Sequence, residues 1–184
     1  TFRGMPGKPD VALGSMGIYA FDADYLYHLL EEDAADDQSE HDFGKNVIPR
    51  VVREGGALAH PLSMSSVPYN TPYEPYWRDV GTIDAYHEAH MDLVSVDPVF
   101  NLYNNDWPIW TYPVQMPGAK FTLRGTALDS IVSSGCIISG GMIERSVLSP
   151  NVRVHEKAKV DNSVLFSNAM VGRDAVIHKA ILDK

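Results

Sequence analysis

The sequence predicts a chain of two parts: an α/β unit of alternating strands and helices, then a left-handed parallel β-helix. Two observations carry this. Up to about Val96, short apolar runs alternate with stretches of helical periodicity. From about Leu128, apolar residues recur every five or six positions, at Ile137, Met142, Leu148, Val154, Val160, Leu165, Val171, Ile177 and Leu182. Small residues such as Ala158 and Ala175 fall near the fourth following place. That is a hexapeptide repeat, with about three hexads to a triangular coil and the apolar residue of each pointing into a narrow core. Val171 to Val176 is the cleanest repeat, and roughly three coils are visible. A β-sandwich is the competing reading, but its strands would be spaced at roughly 8–12 residues. The predicted divisions are 1–96 for the α/β part, 97–127 for a packed linker and 128–184 for a β-helix that is expected to be incomplete.

Within the α/β part, Gly14 to Phe21 reads as a buried strand, with Gly17 marking a close approach. Asp22 caps a helix carrying Leu26, Leu29 and Leu30 at helical spacing. Glu31 to His41 reads as a solvated acidic loop. Asp42 can cap a second helix, with Phe43, Val47, Ile48, Val51 and Val52 on one face and Gly55-Gly56 at its end. Ala57 to Pro61 is a short strand candidate, and Ser63 to Pro75 a loop. Thr82 caps a third helix, with Asp84 in its first turn and Ile83, Tyr86, Ala89 and Leu93 on one face, ending near Ser95. Asp97 to Gly118, with four prolines and two tryptophans, has little periodicity. Thr1 to Pro9 reads as a Pro/Gly-rich loop, so the chain is expected to begin inside a larger protein.

Composition narrows the function classes. The 184 residues are 45% hydrophobic, enough for one or two modest cores. The formal net charge of -9 argues against a sequence-independent nucleic-acid binder. Cys136, the single cysteine, cannot form an internal disulfide and lies in an apolar run, so it reads as core filler in a reducing compartment. No apolar run reaches the roughly 18 residues of a membrane span and no signal-peptide pattern is present, so a cytoplasmic protein is expected.

The densest chemistry lies in Glu74-Pro75-Tyr76-Trp77-Arg78-Asp79-Val80-Gly81-Thr82. A carboxylate at a strand end before a Gly-Thr turn is placed to hold a divalent metal, and Mg²⁺ takes one or two carboxylates plus substrate phosphates. The plainer reading is a tight turn with an aromatic anchor and an Asp–Arg surface pair. YWRDVGT resembles a block of the bacterial glucose-1-phosphate adenylyltransferases, also called ADP-glucose pyrophosphorylases. So do Leu13 to Leu26, His41 to Arg50, Trp107 to Phe121 and Ser134 to Gly141, in the same order. The resemblance implies the C-terminal portion of such an enzyme. Its fold would be part of a Rossmann-like α/β nucleotidyltransferase domain followed by the β-helix.

That family joins ATP and α-D-glucose 1-phosphate into ADP-glucose and pyrophosphate for glycogen synthesis. The sugar phosphate attacks the α-phosphate, and no enzyme nucleophile is needed. By resemblance Asp79 is the catalytic Mg²⁺ ligand, paired with another aspartate upstream of Thr1. Trp77 belongs to the sugar pocket, and Ser15, beside Gly14, bonds the glucose. Asp42 lies near that pocket, although capping a helix already explains it. Lys184 aligns with a basic position of an AMP site. The resemblance also implies a homotetramer controlled by glycolytic intermediates and AMP. The Gly-rich nucleotide loop, the second metal aspartate and the Glu-Lys-Pro that grips the sugar phosphate would lie upstream, so this chain alone is expected to be inactive. Gly7-Lys8-Pro9 is too close to Ser15 to stand in for the last.

Two readings from other classes remain. One is a non-catalytic β-helix subunit that binds a sugar phosphate and regulates a partner. The other is a β-helix acyltransferase, with His155 or His178 as its base, though no acyl-carrier motif accompanies either and both read as solvent-facing. His87 and His90 lie three apart on a helix and could hold a metal, but the pattern is not H-E-x-x-H.

Overall fold

The computed structural model describes residues 7, 10–65, 75–110, 112 and 114–183. The chain divides into two compact units, Thr1–His60 and Pro61–Lys184.

In the first unit α1 spans Ala23–Ala34. The Asp22 carboxylate starts it by accepting the Tyr25 N–H at 3.0 Å. The helix runs further than its acidic sequence suggested, and the expected loop begins only at Ala35. Partners steady the acids: Glu32 pairs with Arg50 and, at 3.4 Å, with His28, while Asp33 accepts the Ser39 hydroxyl at 2.6 Å. Asp42 caps the next segment through the Lys45 N–H at 2.9 Å. This segment opens as a π-helical turn, Phe43–Val47, and continues as α2, Ile48–Arg53. Pro49 has no N–H to give the Lys45 carbonyl, which suits the wider turn. Val47 and Val51 are buried with Leu29, and Phe21 and Leu30 pack against them. Phe43 and Val52, expected on the same face, are exposed, because the π turn breaks the 3.6-residue phase. Gly55 ends α2 at φ +77°. Its N–H reaches the Val52 carbonyl and that of Gly56 the Val51 carbonyl, the paired bonds of a left-handed glycine cap.

Two expected strands do not form. Gly14 to Phe21 and Ala57 to Pro61 carry no ladder, and among the described residues no strand precedes Lys120. A strand needs a hydrogen-bonding neighbour whatever its sequence. Ile18 and Tyr19 of the first run are accordingly exposed.

In the second unit a short 3-10 turn, Leu62–Met64, precedes α3, Ile83–Leu93, which is capped as expected by the Thr82 hydroxyl on the Ala85 N–H at 3.2 Å. The buried face centres on His87, and Ile83 is exposed. A histidine can occupy that place because its Nε2 lies 2.7 Å from the Asn162 carbonyl of the β-helix. Residues 97–118 form no helix or strand among those described, and Trp110 and Tyr112 are over 90% or at 90% exposed. Short side-chain-bonded turns shape part of them, such as Asn101 Oδ1 on the Tyr103 N–H at 2.8 Å.

The described part of the β-helix has twelve strands of two or three residues, from Lys120–Thr122 to Ile181–Leu182, in three parallel four-stranded sheets. Lys120 pairs with Ile137, Ile137 with Arg153 and Arg153 with Met170, so a coil takes 16 or 17 residues. There are four coils, one more than the sequence suggested, and the first starts at Lys120 instead of Leu128. Its apolar repeat is weak because Ala127 stands at the inward place where later coils carry Ile143 and Val160.

Ile138, Val154 and Val171 stack in one inward column, Ile143 with Val160 in a second, and Leu148 with Leu165 in a third. Ile177 and Leu182 are half-buried continuations. The core therefore uses Ile138 and Ile143, not the expected Ile137 and Met142. Both pairs are adjacent apolar residues, and the register with Val154 and Val160 selects the second of each. Met142 is 47% exposed. Smaller residues alternate with the large ones, including Ala158 as expected.

One small column is polar. The Ser146 and Ser163 side chains are fully buried. Ser163 donates to the Asp161 carbonyl at 2.7 Å and accepts the Ala180 N–H at 3.1 Å. Ser146 repeats both bonds one coil earlier, to the Glu144 carbonyl and from the Ser163 N–H. Each hydroxyl thereby satisfies two backbone groups at a corner where the ladder is interrupted. These corners take left-handed residues, Arg145, Asn162 and Lys179 at φ 42°, 49° and 47°.

Candidate functional site

Pro75 to Val80 forms neither helix nor strand among the described residues. The expected strand end is absent, and Asp79 instead forms an Asx turn, its Oδ1 accepting the Gly81 N–H at 3.0 Å. Tyr76 and Arg78 both reach Asp92 of α3: Tyr76 Oη at 3.1 Å and Arg78 Nε at 2.7 Å from the same Oδ2. Arg78 also lies 5.5 Å above the Tyr76 ring, and that ring stacks on Phe100 at 5.3 Å. Trp77 and Asp79, the alternate residues, are exposed. The aromatic anchor of the plainer reading is therefore Tyr76, and the Asp–Arg pair is Asp92 with Arg78. Burial, then the Asp92 carboxylate, pushes the Tyr76 hydroxyl above its ordinary pKa. Hydrogen bonding to Asp92 raises that of Arg78.

Ser15 and Asp42 belong to the first unit. Ser15 is exposed, with Oγ 2.6 Å from Tyr19 Oη and accepting the Gly17 N–H at 3.2 Å. Gly17 has φ +73°, a conformation glycine adopts freely. The turn presents the hydroxyl to solvent. Asp42 is occupied as a cap, and its own N–H is 3.3 Å from Asn46 Oδ1. Before it, Asp33 holds the loop by accepting Ser39 Oγ and facing His41 Nδ1 at 3.1 Å. These two bonds, Ser39 first, hold the Asp33 carboxyl below the usual range. Lys184 and Glu74 lie outside the described residues.

The other candidates have structural partners. His87 Nε2 meets the Asn162 carbonyl, and His90 Nδ1 lies 2.9 Å from the Tyr86 carbonyl. His155 is exposed, as is His178, whose Nδ1 lies 2.8 Å from Asp161 Oδ2. Cys136 is buried in the β-helix core with Sγ 3.2 Å from the Ser149 carbonyl, and burial pushes its thiol up.

Asp79 fits a Mg²⁺ role as one hard oxygen donor on an exposed turn. Among the described residues no three His, Cys, Asp or Glu side chains group as a metal cage.

Sequence reading missed Asp92 and Tyr76. Asp92 did leave a signal: an acid in the last turn of a helix opposes the dipole, so its presence points to a cationic partner.

A family model described as nucleotidyl transferase matches residues 2–96, and one described as GlmU-like C-terminal hexapeptide matches 114–184. Curated relatives bear out the resemblance to glucose-1-phosphate adenylyltransferases. The enzyme so named from Paraburkholderia phytofirmans is 51% identical over 185 residues, covering 98% of this chain and 44% of the relative. That from Cutibacterium acnes is 52% identical over 98% of this chain and 45% of the relative. That from Rhodospirillum rubrum is 50% identical over 98% and 44%. The chain therefore spans less than half the length of these relatives. No helix among the described residues is long and apolar enough to cross a membrane. With the nucleotidyl transferase match covering just over half of its residues, this chain belongs to the nucleotidyl transferase family.

Proposed function

We propose that this chain serves in a glucose-1-phosphate adenylyltransferase that makes ADP-glucose and pyrophosphate from ATP and α-D-glucose 1-phosphate. The observation that carries the reading is identity of 50–52% across 98% of the chain to proteins of that name. The exposed Asp79 turn and the exposed Ser15 hydroxyl are consistent with it.

In this reading the Ser15 hydroxyl bonds the glucose, and Trp77 offers an aromatic surface to the sugar. Asp79 holds Mg²⁺, which when bound neutralises phosphate charge during in-line transfer. Asp42 stays a helix cap at the edge of the sugar site. The whole enzyme is cytoplasmic and homotetrameric, feeds glycogen synthesis, and responds to glycolytic intermediates and to AMP near Lys184.

The test is pyrophosphate release by the full-length protein from ATP and glucose 1-phosphate with Mg²⁺. Release that depends on both substrates supports the reading. Binding of the sugar phosphate without release supports the regulatory subunit instead.

A further inference from the structure

We infer that Asp92 is a positioning residue for the nucleotidyl-transfer site, holding Trp77 and Asp79 in place through their neighbours Tyr76 and Arg78. This rests on the functional reading above. Among the described residues Pro75 to Val80 pairs with no strand. Its attachment to α3 passes through one carboxylate oxygen, Asp92 Oδ2, which accepts Arg78 Nε at 2.7 Å and Tyr76 Oη at 3.1 Å. The two bonds fix Tyr76 and Arg78, which flank Trp77 and precede Asp79, so they constrain where those two side chains point. The Arg78 guanidinium over the Tyr76 ring, and that ring on Phe100, close the network from a second direction. The Gly81 N–H then fixes one Asp79 oxygen from the other end.

The network is half-exposed, so its ion pair contributes little to global stability. Its effect is local. A misplacement of about 1 Å at a reacting centre can cost on the order of 100-fold in rate. Asp92 would thus affect catalysis far more than folding.

The experiment uses the full-length protein, with Asp92→Ala, Asp92→Asn and Tyr76→Phe. The readouts are kcat and KM, ADP-glucose binding by calorimetry without metal, and the thermal midpoint. Asp92→Ala is expected to lower kcat by roughly 10- to 100-fold and to weaken ADP-glucose binding about 10-fold, with the midpoint within a few degrees of wild type. Asp92→Asn, which keeps an acceptor oxygen, should recover part of both losses. Tyr76→Phe, which removes a single hydroxyl, should lower kcat about threefold and guards against an Asp92→Ala protein that does not fold. Wild-type kcat, KM and binding in folded Asp92→Ala or, if that fails to fold, in Asp92→Asn and Tyr76→Phe would overturn the positioning role and leave the functional reading standing. A wild-type protein that neither releases pyrophosphate nor binds ADP-glucose would overturn the functional reading, and the positioning role with it.

Discussion

His87 of α3 is joined to Asn162 of the β-helix by a 2.7 Å hydrogen bond between buried Nε2 and a backbone carbonyl. A carbonyl cannot donate, so Nε2 carries the proton. Tyr86, one residue earlier, meets Phe166 edge-on at 6.2 Å. These two contacts, one polar and one aromatic, help fasten the helix to the solenoid.

Replacing His87 by Phe keeps the bulk and leaves the Asn162 carbonyl without this donor. A part-buried acceptor so orphaned costs about 1 kcal/mol, toward the low end of the range for buried groups. Chemical denaturation should show a loss of that size, and hydrogen exchange should quicken in α3 more than in the β-helix.

The serine column makes a sharper prediction. Ser163→Ala removes an acceptor for the Ala180 N–H and a donor for the Asp161 carbonyl. The expected cost is about 1–3 kcal/mol, from the Ala180 N–H losing its acceptor, while the Asp161 carbonyl keeps the Lys179 N–H at 3.1 Å. Ser163→Thr keeps the hydroxyl but adds a methyl to a fully packed place, so it should also destabilise, by about 1–3 kcal/mol. Equal stability of Ser163→Ala and wild type would show that the hydroxyl is dispensable.

Acid should loosen the loop before Asp42. The Asp33 carboxyl titrates below its ordinary range because Ser39 and His41 bond its ionised form. A lowered folded pKa gives stability that is complete above the unfolded value and is lost as pH falls through the folded one. The loop from Ala35 to His41 should therefore keep its order down to about pH 4 and lose it below. Amide exchange of His41, whose N–H is bonded to Ser39 Oγ at 3.0 Å, reads this directly.

Local signals made much of this molecule legible. Asp22, Asp42 and Thr82 act as caps because a short oxygen side chain before a helix has few other uses. The Gly55-Gly56 stop and the buried Leu148, Val154, Val160 and Leu165 follow equally from local pattern. The errors arose where structure depends on distant partners. Gly14 to Phe21 has strand-like composition but no ladder. Ile137 and Met142 lost their inward places to Ile138 and Ile143 through register with the next coil. The serine ladder hid because reading for apolar repeats passes over hydroxyls. At the site, Trp77 and Asp79 were visible as a motif, but their support was not. Asp92 lies 14 residues after Arg78, and only folding brings the two together.

The most direct test of the central claim is the rate of pyrophosphate release by full-length protein carrying Asp79→Asn, beside Ser15→Ala. The account predicts that Asp79→Asn lowers kcat by on the order of 100-fold or more, with the midpoint of unfolding little changed. It predicts that Ser15→Ala mainly raises the KM for glucose 1-phosphate, by about 10-fold. Normal kinetics in both variants would contradict the assignment of these residues to the site.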